Sequence, residues 1–116
     1  MSRIQARQDA QVVRAALPLL ILTMVEARES YGYELVERLS DEGLEVTTGL
    51  IYPVLTRLER DGLVTTRMAP SPDGPPRKYF AISSAGRDAR DYASGQWRVV
   101  SDVIDNIRFM EGLNHE

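Results

Sequence analysis

The chain contains no cysteine, so disulfides, thiolate metal sites and thiol nucleophiles are excluded and nothing asks for an oxidising compartment. Histidine is almost as scarce: the single copy, His115, sits in the C-terminal tail. No carboxylate cluster, activated nucleophile or glycine-rich phosphate loop has the spacing that catalysis requires. An enzyme is therefore not expected, and neither a metal nor a cofactor. Asp88, Asp91, Asp102 and Asp105 alternate with arginines and read as a solvated helix face.

Long apolar runs are also missing. The longest, LPLLILTMV, is nine residues, too short to span a bilayer. Arg3, Arg7 and Arg14 precede it, and Val25-Glu26-Ala27 follows with the shape of a signal-peptide cleavage site. Asp9 interrupts that basic leader, and cleavage at Ala27 would remove the most apolar segment of a small domain. The run therefore reads as a buried first helix, and the expected location is the cytoplasm.

A basic surplus is the third thing lacking: the formal net charge is -3 and Lys78 is the only lysine. That total argues against nucleic acid unless the charge is unevenly placed. What is present is the composition of one ordinary soluble domain, 116 residues with 43% hydrophobic and 27% charged side chains.

RESYGYELVERLSDEG predicts a second helix with Tyr31, Leu35 and Leu39 one turn apart, Ser30 as N-cap and Gly43 as the stop. GLIYPVLTRLERDGLV predicts a third, capped by a threonine of Thr47-Thr48 and ended at Asp61-Gly62, with Ile51, Leu55 and Leu58 inward. Its Pro53 falls early enough to forfeit little hydrogen bonding. Thr48, Tyr52, Thr56, Arg57 and Arg60 occupy the opposite, exposed face.

Period two then replaces period 3.6. LVTTRMA sets Val64, Thr66 and Met68 against Leu63, Thr65 and Arg67, and RKYFAI sets Lys78, Phe80 and Ile82 against Arg77, Tyr79 and Ala81. PSPDGPP between them reads as a turn that continues neither strand nor helix. Three helices followed by a two-stranded hairpin is the order of a winged helix-turn-helix, mainly α with a small β-hairpin. The third helix would enter a major groove and the wing tip would follow the backbone. From Thr47 to Phe80 the cations Arg57, Arg60, Arg67, Arg77 and Lys78 outnumber Glu59, Asp61 and Asp73, a local net charge of +2. The competing use is a winged helix that contacts only protein, which predicts no salt-dependent affinity for any duplex.

With Ser83 or Ser84 as cap, a helix is predicted to about Met110, with Ala93, Trp97, Val100, Ile104 and Ile107 in heptad spacing. At about 1.5 Å per residue it is roughly 40 Å long, more than a domain this small can cover. A two-fold homodimer is the expected answer, dividing the chain into a DNA-binding unit over residues 1–82 and a dimerisation segment over 83–116; the alternative is a helix folded back along helix one of its own chain, with Trp97 as ordinary core.

The blocks SYGYEL, GLIYPVLTRLERDGLV and PPRKYFAIS followed by SAGRDA resemble the PadR family of bacterial transcriptional regulators, in order and spacing, over about Val13 to Ile107. The resemblance implies a homodimeric winged-helix repressor of the compact branch, with the last helix and helix one, including Leu17 and Leu20, against the partner. It implies that Tyr31 faces phosphate, that Thr47, Thr48, Gly49 and Tyr52 form the reading end of helix three beside Thr56 and Arg57, and that Arg67, Arg77 and Lys78 serve the wing. Thr56 departs from the lysine or arginine of many members, and Pro18 from an uninterrupted first helix, which implies a kink or a later start. Some PadR-like proteins hold flat aromatic molecules between paired tryptophans, which makes Trp97, with Ser101, a candidate effector site; the alternative is that Trp97 is an ordinary residue of the dimer core.

Overall fold

Asp9, the residue that interrupts a basic leader, is a helix cap. In the computed structural model, which describes residues 9–112, its carboxylate accepts from the N–H groups of Gln11 (2.9 Å) and Val12 (3.2 Å) and opens α1, Ala10–Ala27. Arg3, Arg7 and His115 lie outside the described residues. The helix runs through Pro18, so a later start there is excluded. An interior proline costs about 3 kcal/mol. Burial of Val13, Leu17, Ile21, Leu22 and Val25, at about 1.5–3 kcal/mol each, outweighs it. With 18 residues and a mean hydropathy of 1.5, α1 has the length and composition of a membrane span, which the nine-residue run did not suggest. Here those apolar side chains form the core of the domain.

Ser30 does not cap the second helix. Ser30 and Tyr31 form a two-residue strand, β1, and α2 is Gly32–Asp41 with Tyr31 in the N-cap position. Pairing with a later strand takes Ser30 inward, where it is fully buried and its hydroxyl accepts from Arg38 Nη1 at 2.9 Å. The cap is supplied instead by Glu34, whose carboxylate accepts from the Tyr31 N–H. Leu35 and Leu39 point into the core, and Gly43, at φ 96°, turns the chain out of the helix.

Thr47 Oγ1 accepts from the Leu50 N–H (3.2 Å) and starts α3, Thr48–Arg60. Ile51, Leu55 and Leu58 are buried as the spacing requires, together with Val54. Pro53 stands beyond the first turn, because the Ile51 N–H already bonds the Thr47 carbonyl. It therefore removes the donor that Gly49's carbonyl would have used one turn later. Gly62, at φ 76°, completes the exit.

The hairpin is longer than its prolines imply, with β2 at Val64–Ser71 and β3 at Gly74–Ile82. Ser71 pairs with Gly74 and Ala69 with Arg77, so Pro75 and Pro76 stand opposite Pro70 in a bulge. No ladder N–H is demanded there, which is how three prolines fit in two strands. β1 adds to β3, giving a three-stranded antiparallel sheet in the order β1-β3-β2 where a two-stranded hairpin was expected. Its inner face, Ser30, Val64 and Phe80, closes the core over the helices. Finally α4, Ser84–Met110, starts at Ser83, whose hydroxyl accepts from the Gly86 N–H at 3.0 Å. The architecture is a winged helix-turn-helix carrying a long C-terminal helix.

Candidate nucleic-acid interface

The exposed side of α3 carries Thr48, Gly49, Tyr52, Thr56, Arg57 and Arg60, with Thr47 at its start. Thr47 takes up the Leu50 and Ile51 N–H groups through its hydroxyl and carbonyl, so of the first turn the Thr48 and Gly49 N–H groups remain as donors at the exposed helix end. Gly49 faces open space: a Cβ there would meet nothing nearer than Thr47 Oγ1 at 3.8 Å. Any room it makes is for something outside the protein. Tyr52 leans across to α2, where a Cβ on Gly32 would stand 2.4 Å from its hydroxyl oxygen. That contact joins the reading face of α3 to the start of α2. Spacing rules missed Gly32, although SYGYEL contains it.

Gly32→Ala should therefore push the Tyr52 ring aside and leave the core intact, because the obstructing atoms are the far end of a side chain. The expected result is a melting temperature within a few degrees of the parent and a loss of about 1 kcal/mol in DNA binding, roughly fivefold in Kd. Calorimetry and a fluorescence-anisotropy titration measure the two quantities, and unchanged affinity would show that Tyr52's placement does not matter.

Next to α2, the outer face of the sheet stacks cations on rings. The Arg67 guanidinium lies 5.1 Å from the Tyr79 ring centre, Tyr79 meets Tyr31 edge-on at 5.4 Å, and the Arg77 guanidinium covers Tyr31 at 4.4 Å. Tyr31 and Arg77, with Tyr33, Pro75 and Pro76, line an open groove of roughly 570 Å³ between α2 and the wing tip. Lys78 is not part of this set. It pairs with Met68 on the opposite face of the hairpin, and its ammonium bonds Glu59 at 2.9 Å.

The local positive charge is largely compensated within the domain. Arg67 is held by Glu29 through its Nε at 3.1 Å and through its Nη2, Arg77 lies 3.7 Å from Asp73, and Arg60 is 3.5 Å from Asp61. Only Arg57 of the five makes no ion pair among the described residues. Hydrogen bonding from Arg67 holds the Glu29 carboxyl below its usual range, and hydrogen bonding from Lys78, then from Thr66, does the same for Glu59. Arg77 is pushed upward, first by its hydrogen bond with Tyr79. These directions keep Glu29, Glu59 and Arg77 charged at neutral pH. Charge counting located the basic region but could not see its carboxylate partners, because Glu29 is 38 positions away in sequence.

The expected dimer seam is exposed on α4: Trp97 at 41%, Val100 at 55%, Ile104 and Ile107 at 52%. Ser101 is exposed beside them, and Ala93 is half-buried. Trp97, Gln96 and Val100 outline a shallow apolar hollow of about 300 Å³. Leu20 is half-buried at the edge of the core. Leu17 is a correction, since it is fully buried within its own protomer and has no surface to offer a partner.

Residues 21–92 match the Transcriptional regulator PadR-like family. A transcriptional regulator of Mycobacterium tuberculosis is 40% identical over 76 residues, covering 66% of this chain and 70% of that one. A Streptococcus transcriptional regulator is 36% identical with a TM-score of 0.76 over 86% of this chain and 99% of its own. A PadR-like regulator of Bacillus cereus is 32% identical with a TM-score of 0.75, covering 84% and 96%. The matched span runs from the middle of α1 through the reading helix and wing into α4, so the chain belongs to the PadR-like family and is a DNA-binding transcriptional regulator.

Proposed function

We propose that the protein is a cytoplasmic repressor that binds a palindromic operator as a homodimer, with residues 1–82 reading DNA and residues 83–116 making the dimer. The observation that carries this reading is the continuous surface from the exposed N-terminal half of α3, through the Tyr52–Gly32 contact, to Tyr31 under Arg77. A helix end with free donors, flanked by a ring and a guanidinium, suits base edges in the groove and phosphates beside it. Thr48, Gly49, Tyr52, Thr56 and Arg57 read, while Tyr31, Arg77 and the Thr47 end hold backbone. Arg67 and Lys78 reach phosphate by exchanging Glu29 and Glu59 for it. The exposed seam of α4 supports the dimer, and the hollow formed by Gln96, Trp97 and Val100, with Ser101 exposed one turn beyond Trp97, is where a planar aromatic effector would stack and release DNA by favouring another spacing of the reading helices.

Substitution separates the two roles. Arg77→Ala should weaken binding to cognate and random duplexes alike and reduce the salt slope by about 1. Tyr52→Ala should cost about 1–3 kcal/mol on cognate DNA and little on random DNA. Titrations of both variants on both duplexes across a salt series decide it, and equal losses everywhere for both would contradict the assignment.

A further inference from the structure

The cap of α4 does more than start a helix. The Ser83 hydroxyl accepts from the Gly86 N–H within its own first turn and donates to the Gly62 carbonyl at 2.7 Å, while the Ser83 N–H donates to the Leu63 carbonyl at 3.2 Å. Gly62 and Leu63 are the exit of α3, tied back to it by the Leu63 N–H on the Leu58 carbonyl at 2.9 Å. The end of the reading helix and the beginning of the long helix thus share one hydrogen-bonded turn. Contact there is as close as backbone allows, since a Cβ on Gly86 would lie 2.0 Å from the Leu63 oxygen. One turn further on, Glu26 of α1 receives Arg87 at 3.7 Å and also Arg90, which limits rotation of α4 about that pivot. Ala89 packs on the core and residues 93–95 are half-buried, whereas every residue from 96 to 110 is exposed, so within the protomer the direction of α4 is set by residues 83–95, beginning at the cap.

We propose that Ser83 is a positioning residue that sets the half-site spacing the dimer accepts, by fixing the angle between α4 and the reading helix. The inference rests on the DNA-binding homodimer described above. Leverage makes the angle matter. Ile104 lies about 30 Å along the helix from the cap, so a tilt of about 10° at Ser83 moves the seam by about 5 Å, at 1.5 Å per residue. That exceeds the rise of one base pair, about 3.4 Å. A stiff pivot therefore rejects operators that are one base pair too long or too short, and a loose one tolerates them.

The test uses full-length protein and duplexes enriched from a random pool by the wild type, rebuilt with one or two base pairs added or removed between half-sites. Ser83→Thr keeps the hydroxyl. Ser83→Ala removes it, and Ser83→Gly removes it while retaining a residue that helix starts accept, so that a folded variant is in hand should alanine unfold the cap. The wild type and Ser83→Thr are expected to lose tenfold or more on a one-base-pair change. Ser83→Gly, verified as a dimer by sedimentation, is expected to bind the best duplex about fivefold more weakly and to vary less than threefold across the series. A dimeric Ser83→Gly with the spacing profile of the wild type overturns the pivot alone. A wild type that enriches no duplex overturns the DNA-reading proposal and this one with it.

Discussion

Ile104→Glu is expected to turn the proposed dimer into a monomer and to lower affinity for a palindromic duplex by on the order of a hundredfold. Ile104 is 52% exposed in the protomer and occupies the heptad seam between Val100 and Ile107. Burying an isoleucine fully contributes about 1.5–3 kcal/mol, and in a two-fold interface the residue counts twice. Glutamate forfeits that burial and adds a charge whose desolvation has no partner in an apolar seam. Folding of the protomer should be spared, because the core of Leu17, Ile21, Leu35, Ile51 and Leu55 does not include this position. Sedimentation equilibrium reads the assembly, circular dichroism the fold and a titration the affinity. A variant that stays dimeric at micromolar concentration would place the interface elsewhere.

Gly86→Ala should be more destabilising than the same change at Gly32, Gly49, Gly74 or Gly95. Alanine gains about 1 kcal/mol over glycine in a helix interior. Against that, the added carbon would stand 2.0 Å from the Leu63 carbonyl oxygen and 2.8 Å from Ile82 Cγ1. Backbone cannot rotate away as a side chain can, so the first turn of α4 must lift, at a cost of about 3 kcal/mol typical of overpacking. The balance is about 2 kcal/mol of lost stability, or roughly 10 °C in Tm for a domain of this size. Gly95→Ala is the control, on the same helix with nothing within 4 Å of the new carbon. It should gain a few degrees. Equal melting temperatures for the two variants would mean that the α3–α4 turn is slack.

Legibility in the sequence followed the range of the interactions. The helices, their order and the change of period at Val64 could be read because each depends on residues within a turn or two. That a threonine of Thr47-Thr48 and one of Ser83 and Ser84 would cap was legible for the same reason, and the structure picks Thr47 and Ser83. Ser30 was misassigned because a local rule competed with a strand pairing to Phe80, 50 positions later. The prolines of the hairpin were read as a break because a bulge depends on what stands opposite. At the site, the exposed face of α3 was readable from its stripe, and the resemblance pointed to Tyr31 and Arg77. Lys78's separation from Arg77 was already implicit in strand alternation. The pairing of Arg67 with Glu29, the packing of Tyr52 on Gly32 and the second bond of Ser83 were not, since each needs two elements brought together by the fold.

Specific DNA binding by this surface is decided by a salt series. Purified protein would be titrated against a labelled duplex from its own upstream promoter region and against random DNA. Tighter binding to the promoter is expected at every salt concentration, with log affinity falling linearly as log salt rises. Equal affinity for the two duplexes throughout, or no dependence on salt, would contradict it.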